Sequence, residues 1–131
     1  MPTGRRISLE RVKDILDAEV LWPCDLSVTI ESVGAADLMS DVLALGWPGM
    51  LLLTGLANVQ AVRTASVADI KAVVFVRGKK PAPDVIELAE QMGIPLLTTP
   101  LIMFEASGLL YAEMGGKATG CMASATCHEP G

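Results

Sequence analysis

Apolar and polar positions follow two rhythms along this chain. Leu9, Val12, Ile15 and Leu16 recur at helical spacing, and Ser8 stands where a helix-capping hydroxyl belongs. A short strand is expected at Val20-Leu21-Trp22, broken by Pro23. From Val28 to Val33 the pattern alternates, with Val28 and Ile30 set against Thr29 and Glu31. That period of two predicts a half-exposed strand near a sheet edge. Asp37 then opens a helix that is expected to carry Leu38, Met39, Val42, Leu43 and Leu45 inward and to end at Gly46.

The centre of the chain repeats one unit. The buried run Met50 to Thr54 leads to a helix starting near Asn58. A second run, Val73 to Val76, leads through Arg77-Gly78 to a helix over Pro83 to Met92, closed by Gly93. A third, Pro95 to Thr98, leads to a helix expected from Pro100 to Glu113, with Thr99 as its cap. Strands alternating with helices predict an α/β fold, a mainly parallel sheet and right-handed crossovers.

Composition agrees with this pattern. The chain of 131 residues is 51% hydrophobic and only 4% aromatic, so its core is aliphatic, as buried parallel strands require. The length suits one domain, expected over 8–114, with a loose leader over 1–7. Residues 115–131, rich in Gly, Ala, Ser and Thr and without apolar period, read as a flexible tail. The net charge of −5 argues against a nucleic-acid partner, and the pairs Arg5-Arg6 and Lys79-Lys80 are too short to line a groove. The apolar run Met50-Leu51-Leu52-Leu53 is far shorter than a membrane span. Three cysteines, Cys24, Cys121 and Cys127, do not form an even framework of disulfides, so a reduced, cytoplasmic setting is expected.

The catalytic signatures are incomplete. Gly116-Lys117 resembles the end of a phosphate-binding loop, but Tyr111 replaces its first glycine and Ala118 its hydroxyl. Neither a dinucleotide-binding glycine fingerprint nor a nucleophile elbow occurs. The single histidine, His128, falls in the tail beside Cys121 and Cys127, whose spacing is longer than that of common zinc sites. No cofactor, no metal and no catalytic residue is therefore assigned. Asp37 and Asp41 share a helical face as a cap and a solvated carboxylate, and Glu105 is read as solvated.

The functional cue is topological. In open parallel sheets, ligands settle beyond the carboxyl ends of the strands. Those ends carry Thr54-Gly55, Arg77-Gly78 and Thr98-Thr99, which combine close backbone approach, hydroxyls and a forked cation. The same residues also suit plain turns and caps.

The segment Asp37 to Ala44 resembles the S-D-L-L-S-D-V-M-A element of DRTGG domains. Further pieces follow in order: Thr54 with Asn58-Val59, the strand Ala72 to Val76 with Gly78-Lys79-Lys80-Pro81, Gly93 to Leu97, and Phe104-Glu105. The match runs from Leu9 to Met114. The glycine pair that names the family is missing near Ser32-Val33, where Gly34 is the nearest glycine. The resemblance implies a three-layer α/β/α domain, similar to the N-terminal domain of HPr kinase/phosphorylase and to regulatory modules of phosphate acetyltransferases and CBS-bearing proteins.

Taken together, the resemblance and the strand ends lead us to expect a non-catalytic regulatory or sensing domain. Its partner would be a small polar or anionic molecule, a nucleotide among them, or another protein. Ser40, Asp41, Thr54, Gly55, Asn58, Arg77, Gly78, Thr98 and Thr99 form the candidate ligand set. The alternative is a homodimeric assembly domain with no small ligand, pairing through its edge strand.

Overall fold

The computed structural model describes residues 6–115. Seven strands and five helices follow in the order β1 (Ile7–Ser8), α1 (Leu9–Leu16), β2 (Glu19–Val20), β3 (Thr29–Ile30), β4 (Ser32–Ala35), α2 (Met39–Leu45), β5 (Met50–Thr54), α3 (Val59–Val67), β6 (Ala72–Phe75), α4 (Pro83–Met92), β7 (Leu96–Thr98) and α5 (Met103–Glu113). The main sheet has the spatial order β2-β7-β6-β5-β4. Strands β4 to β7 are parallel, and β2 runs antiparallel along β7.

Side chains on a strand alternate between faces, and this sheet is covered on both. Leu51, Leu53, Ala72, Val74 and Leu97 pack with Leu9, Val12 and Leu16 of α1 and Ala106 and Leu110 of α5. The intervening Met50, Leu52, Val73, Phe75 and Leu96 pack with Met39 and Val42 of α2, Ala61, Val62 and Ala65 of α3, and Val85 and Ala89 of α4. The result is the expected three-layer α/β/α arrangement, with two helices on one face and three on the other. Because both faces are buried, the strands read as continuous apolar runs.

Local signals placed several helix ends. The Ser8 hydroxyl accepts the Arg11 N–H at 3.1 Å, and the Asn58 side chain accepts the Ala61 N–H at 3.1 Å. Pro83 begins α4, and Gly93, at φ 72°, ends it in the left-handed region.

Other expectations need correction. The alternating run Val28 to Val33 is not one strand. It bends at Glu31, whose N–H donates to Gly49 O at 3.1 Å. Thr29–Ile30 pairs antiparallel with β1, while Ser32–Ala35 joins β5 as the edge of the main sheet. Ile7, placed in the expected leader, pairs with Ile30 and is buried in the core; residues 1–5 lie outside the described residues. The early strand is shorter and lies one residue earlier than Val20-Leu21-Trp22, although Leu21 N–H still reaches Leu96 O at 2.9 Å.

Helix α2 starts at Met39 rather than Asp37, so its buried stripe is Met39 and Val42. Leu38 and Leu43, expected to face inward, are 61% and 53% exposed. The Leu45 side chain is outside the described set. Helix α5 starts at Met103, three residues beyond Pro100, and Thr99 does not cap it. The expected tail lies, beyond Gly115, outside the described residues, as do Gly116, Lys117, Cys121, Cys127 and His128. No helix among the described residues is long and apolar enough to cross a membrane.

Candidate functional site at the strand carboxyl ends

Three of the parallel strands end level with one another, Thr54 in register with Phe75 and Phe75 with Thr98, and β4 ends one residue earlier, with Ala35 opposite Leu53. The chain leaves β4, β5 and β6 for helices on one face but leaves β7 for α5 on the other. The connections therefore diverge between β6 and β7, the place where open sheets form a crevice. Here the crevice is laced shut by its own loops. Arg77 N–H donates to Leu101 O at 2.8 Å, and Gly78 N–H to Thr99 O at 2.7 Å. The Thr98 hydroxyl donates to Lys79 O at 2.6 Å, and the Thr99 hydroxyl to Leu16 O at 2.5 Å. Thr99 Oγ1 also accepts the Leu101 N–H at 3.3 Å.

These bonds explain the late start of α5. A buried hydroxyl takes the partner that would otherwise be left unsatisfied. Thr99 is fully buried and serves the last carbonyl of α1, so its side chain is committed to that helix rather than to α5.

One strand over, the rim is open. Asp37 follows β4, and its Oδ1 accepts the Thr54 hydroxyl at 3.1 Å and the Gly55 N–H at 2.7 Å. Thr54 Oγ1 in turn accepts the Leu56 N–H at 3.1 Å. The carboxylate thus ties the ends of β4 and β5 together. This is its role in place of the expected helix cap: the first residue before α2 is Leu38, with no side-chain cap.

Arg77 arrives at the same place from β6. Residues 77 and 78 have φ of 62° and 67°, and Lys79 N–H closes the turn onto Val76 O at 3.2 Å. Two positive φ angles in the centre of a turn are demanding for a non-glycine residue such as Arg77. The guanidinium lies over Gly55: a Cβ there would stand 2.8 Å from Arg77 Nη2 and 3.5 Å from Asp37 Oδ1. Only glycine leaves room for this approach. The Arg77 side chain makes no hydrogen bond or ion pair within the described residues.

The candidate ligand set therefore divides. Thr54, Gly55 and Arg77 come together, and Asp37 joins them. Gly78, Thr98 and Thr99 lie on the closed side, and Asn58 caps α3. Ser40 and Asp41 stand exposed on the first turn of α2 without side-chain hydrogen bonds among the described residues. Sequence reasoning placed Asp37 at a helix start. That reading left Asp37 out of the ligand set, and its place beside Thr54-Gly55 follows only from the pairing of Ser32–Ala35 with β5.

Away from this rim, the Cys24 thiol is half-buried, and burial pushes its pKa up, partly offset by a backbone hydrogen bond with Leu96. A shallow polar cleft lined by Glu31, Asp69 and Lys71 opens at the opposite end of the sheet. Among the described residues, no three His, Cys, Asp or Glu side chains are grouped so as to hold a metal ion.

The chain matches no protein-family model and no curated protein. Among solved structures it is similar to the crystal structure of the CBS and DRTGG domains of the regulatory region of Clostridium perfringens pyrophosphatase, complexed with the activator diadenosine tetraphosphate. The TM-score is 0.70 at 21% identity, covering 86% of this chain and 50% of that one. The present chain thus spans half the length of that neighbour. The likeness agrees with the DRTGG resemblance carried by Asp37 to Ala44 and the segments that follow it, and the chain has the fold found in that CBS–DRTGG regulatory region.

Proposed function

We propose that this chain is a non-catalytic regulatory domain that senses a small anionic ligand at the Asp37–Thr54–Gly55–Arg77 rim. The observation that carries the reading is the Arg77 guanidinium, which lies over Gly55 and has no hydrogen bond or ion pair among the described residues. A forked, permanently charged donor without a carboxylate to bind is suited to phosphate or carboxylate. Helix α3 begins just beyond β5, so its N-terminus adds positive potential at the same edge. The pyrophosphatase neighbour supports the reading, since it is a regulatory region complexed with a nucleotide activator. A reduced, cytoplasmic setting accords with it.

Thermal-shift titration with phosphate esters and nucleotides tests the proposal. A ligand that binds only the folded state raises the melting temperature with concentration. The expected result is a saturable rise that disappears in Arg77→Gln with the unliganded melting temperature unchanged. Absence of any shift across the panel, or an equal shift in Arg77→Gln, defeats it.

A second reading, self-association, is favoured by helix α5. The helix buries Ala106 and Leu110, yet its outer side exposes Phe104 (84%), Leu109 and Tyr111. The occupant proposed is a second copy of α5, because Gly108 lies between Phe104 and Tyr111 along the helix and a Cβ there would meet nothing within 4 Å, so another chain can come close to the backbone. In this reading a Phe104 ring from one copy packs on Gly108 of the other, and a two-fold pairing repeats the contact. Light scattering decides the matter. A dimer that Phe104→Ser converts to a folded monomer supports it; a monomeric parent chain ends it.

A further inference from the structure

The Asp37 carboxylate uses one oxygen inside the fold. Oδ1 takes the Thr54 hydroxyl and the Gly55 N–H, whereas Oδ2 accepts no hydrogen bond among the described residues. Arg77 Nη2 and Asp37 Oδ1 lie 2.8 and 3.5 Å from one point above Gly55, yet the two side chains form no ion pair. The rim therefore presents a cation and an uncovered acceptor side by side.

That pairing filters ligands. A bare oxyanion drawn to Arg77 sits beside the negative Asp37, in a chain whose net charge is −5. An anion that also carries a donor covers Oδ2 with a charge-assisted hydrogen bond and converts repulsion into attraction. The short separation of the two heads requires donor and anion to be close neighbours in the ligand.

Resting on the strand-end reading above, we infer that the rim takes a phosphate ester with a free hydroxyl one or two carbons from its ester carbon. Arg77 holds the phosphate, and Asp37 Oδ2 accepts the hydroxyl. Sugar phosphates and nucleotides both have this chemistry.

Calorimetric titration of the full chain tests the inference with two matched pairs. Glycerol 3-phosphate against propyl phosphate differs in the donors alone, and adenosine 5′-monophosphate against its 2′,3′-dideoxy form repeats the comparison on a nucleotide. The hydroxylated member of at least one pair is expected to bind about tenfold or more tightly, the size of a hydrogen bond to a charged group; the pair that shows the preference identifies the source. In Asp37→Asn the side-chain oxygen still serves Thr54 and Gly55, while the amide offers the ligand a donor. This variant is expected to bring the two members of the pair to within about twofold of each other, chiefly by tightening the plain ester. Equal affinities within both pairs, with binding still lost in Arg77→Gln, overturn the donor requirement and leave the anion site standing. Failure of all four compounds to bind sinks the anion site and this inference with it. If Asp37→Asn does not fold, the matched pairs on the parent chain decide alone.

Discussion

The Asp37 carboxylate accepts the backbone N–H of Gly55 at 2.7 Å, across 18 residues of sequence. It fastens the edge strand β4 to the end of β5 and fixes the floor on which Arg77 rests. Structure and the proposed ligand chemistry therefore share one side chain, and variants must be chosen to separate them.

Asp37→Ala removes the acceptor and leaves the Gly55 N–H and the Thr54 hydroxyl without their partner. Gly55 and Thr54 are both buried, so water replaces the carboxylate poorly. Urea unfolding should show a loss of about 1–3 kcal/mol, whereas Asp37→Asn should lose less than half of that. Equal stability of the two variants would show that the carboxylate does not brace the rim.

Gly55→Ala puts a methyl group 2.8 Å from Arg77 Nη2, the far end of a flexible side chain. The arginine swings aside rather than the sheet deforming. Global stability should change by less than about 1 kcal/mol, because only the end of an exposed, flexible side chain has to move. Anion affinity should fall about tenfold, because the guanidinium is no longer held in place. Melting temperature and titration calorimetry, run on the same sample, read both effects.

Thr99→Val keeps the shape of a fully buried side chain but deletes the hydroxyl that serves Leu16 O and the Leu101 N–H. Two backbone groups at the junction of α1, β7 and the approach to α5 lose their partner. The expected cost is about 1–3 kcal/mol in denaturant unfolding with an unchanged slope. A neutral variant would mean that water satisfies both groups.

Cys24 gives a pH-dependent signal. Burial raises the thiol above its ordinary 9.0, so at any pH below that value the folded chain holds less thiolate than the unfolded chain. With Cys121 and Cys127 changed to serine, disulfide-exchange labelling at pH 8 should be slower in the folded protein than after denaturation. The sign for stability follows. The folded state keeps its proton to higher pH, so this group's contribution is fully present below 9.0 and declines as pH rises above it. Labelling at equal rates in both states would contradict the burial.

Much of the fold was legible because its determinants are local. Ser8, Asn58 and Gly93 end their helices through hydrogen bonds or backbone angles set within three or four residues, and the sequence carries that information whole. The aliphatic runs at Met50 to Thr54 and Val73 to Val76 determined a buried parallel sheet, since only helices on both faces bury such strands. Strand-end location brought Thr54, Gly55 and Arg77 into view for the same reason.

Tertiary structure decided what side chains with several available partners do. Thr99 and Asp37 each suit a helix cap, but Leu16 O and Gly55 N–H, remote in sequence, claimed them. Val28 to Val33 alternates as one strand does, yet β1 takes its first half and β5 its second, because both present unpaired backbone groups there. The sequence alone determined an aliphatic α/β chain and the residues at its strand ends. Which of those residues are consumed by the fold and which stay exposed at the rim was decided by long-range hydrogen bonds, since a buried polar group left without a partner is costly and the packed chain offers partners remote in sequence.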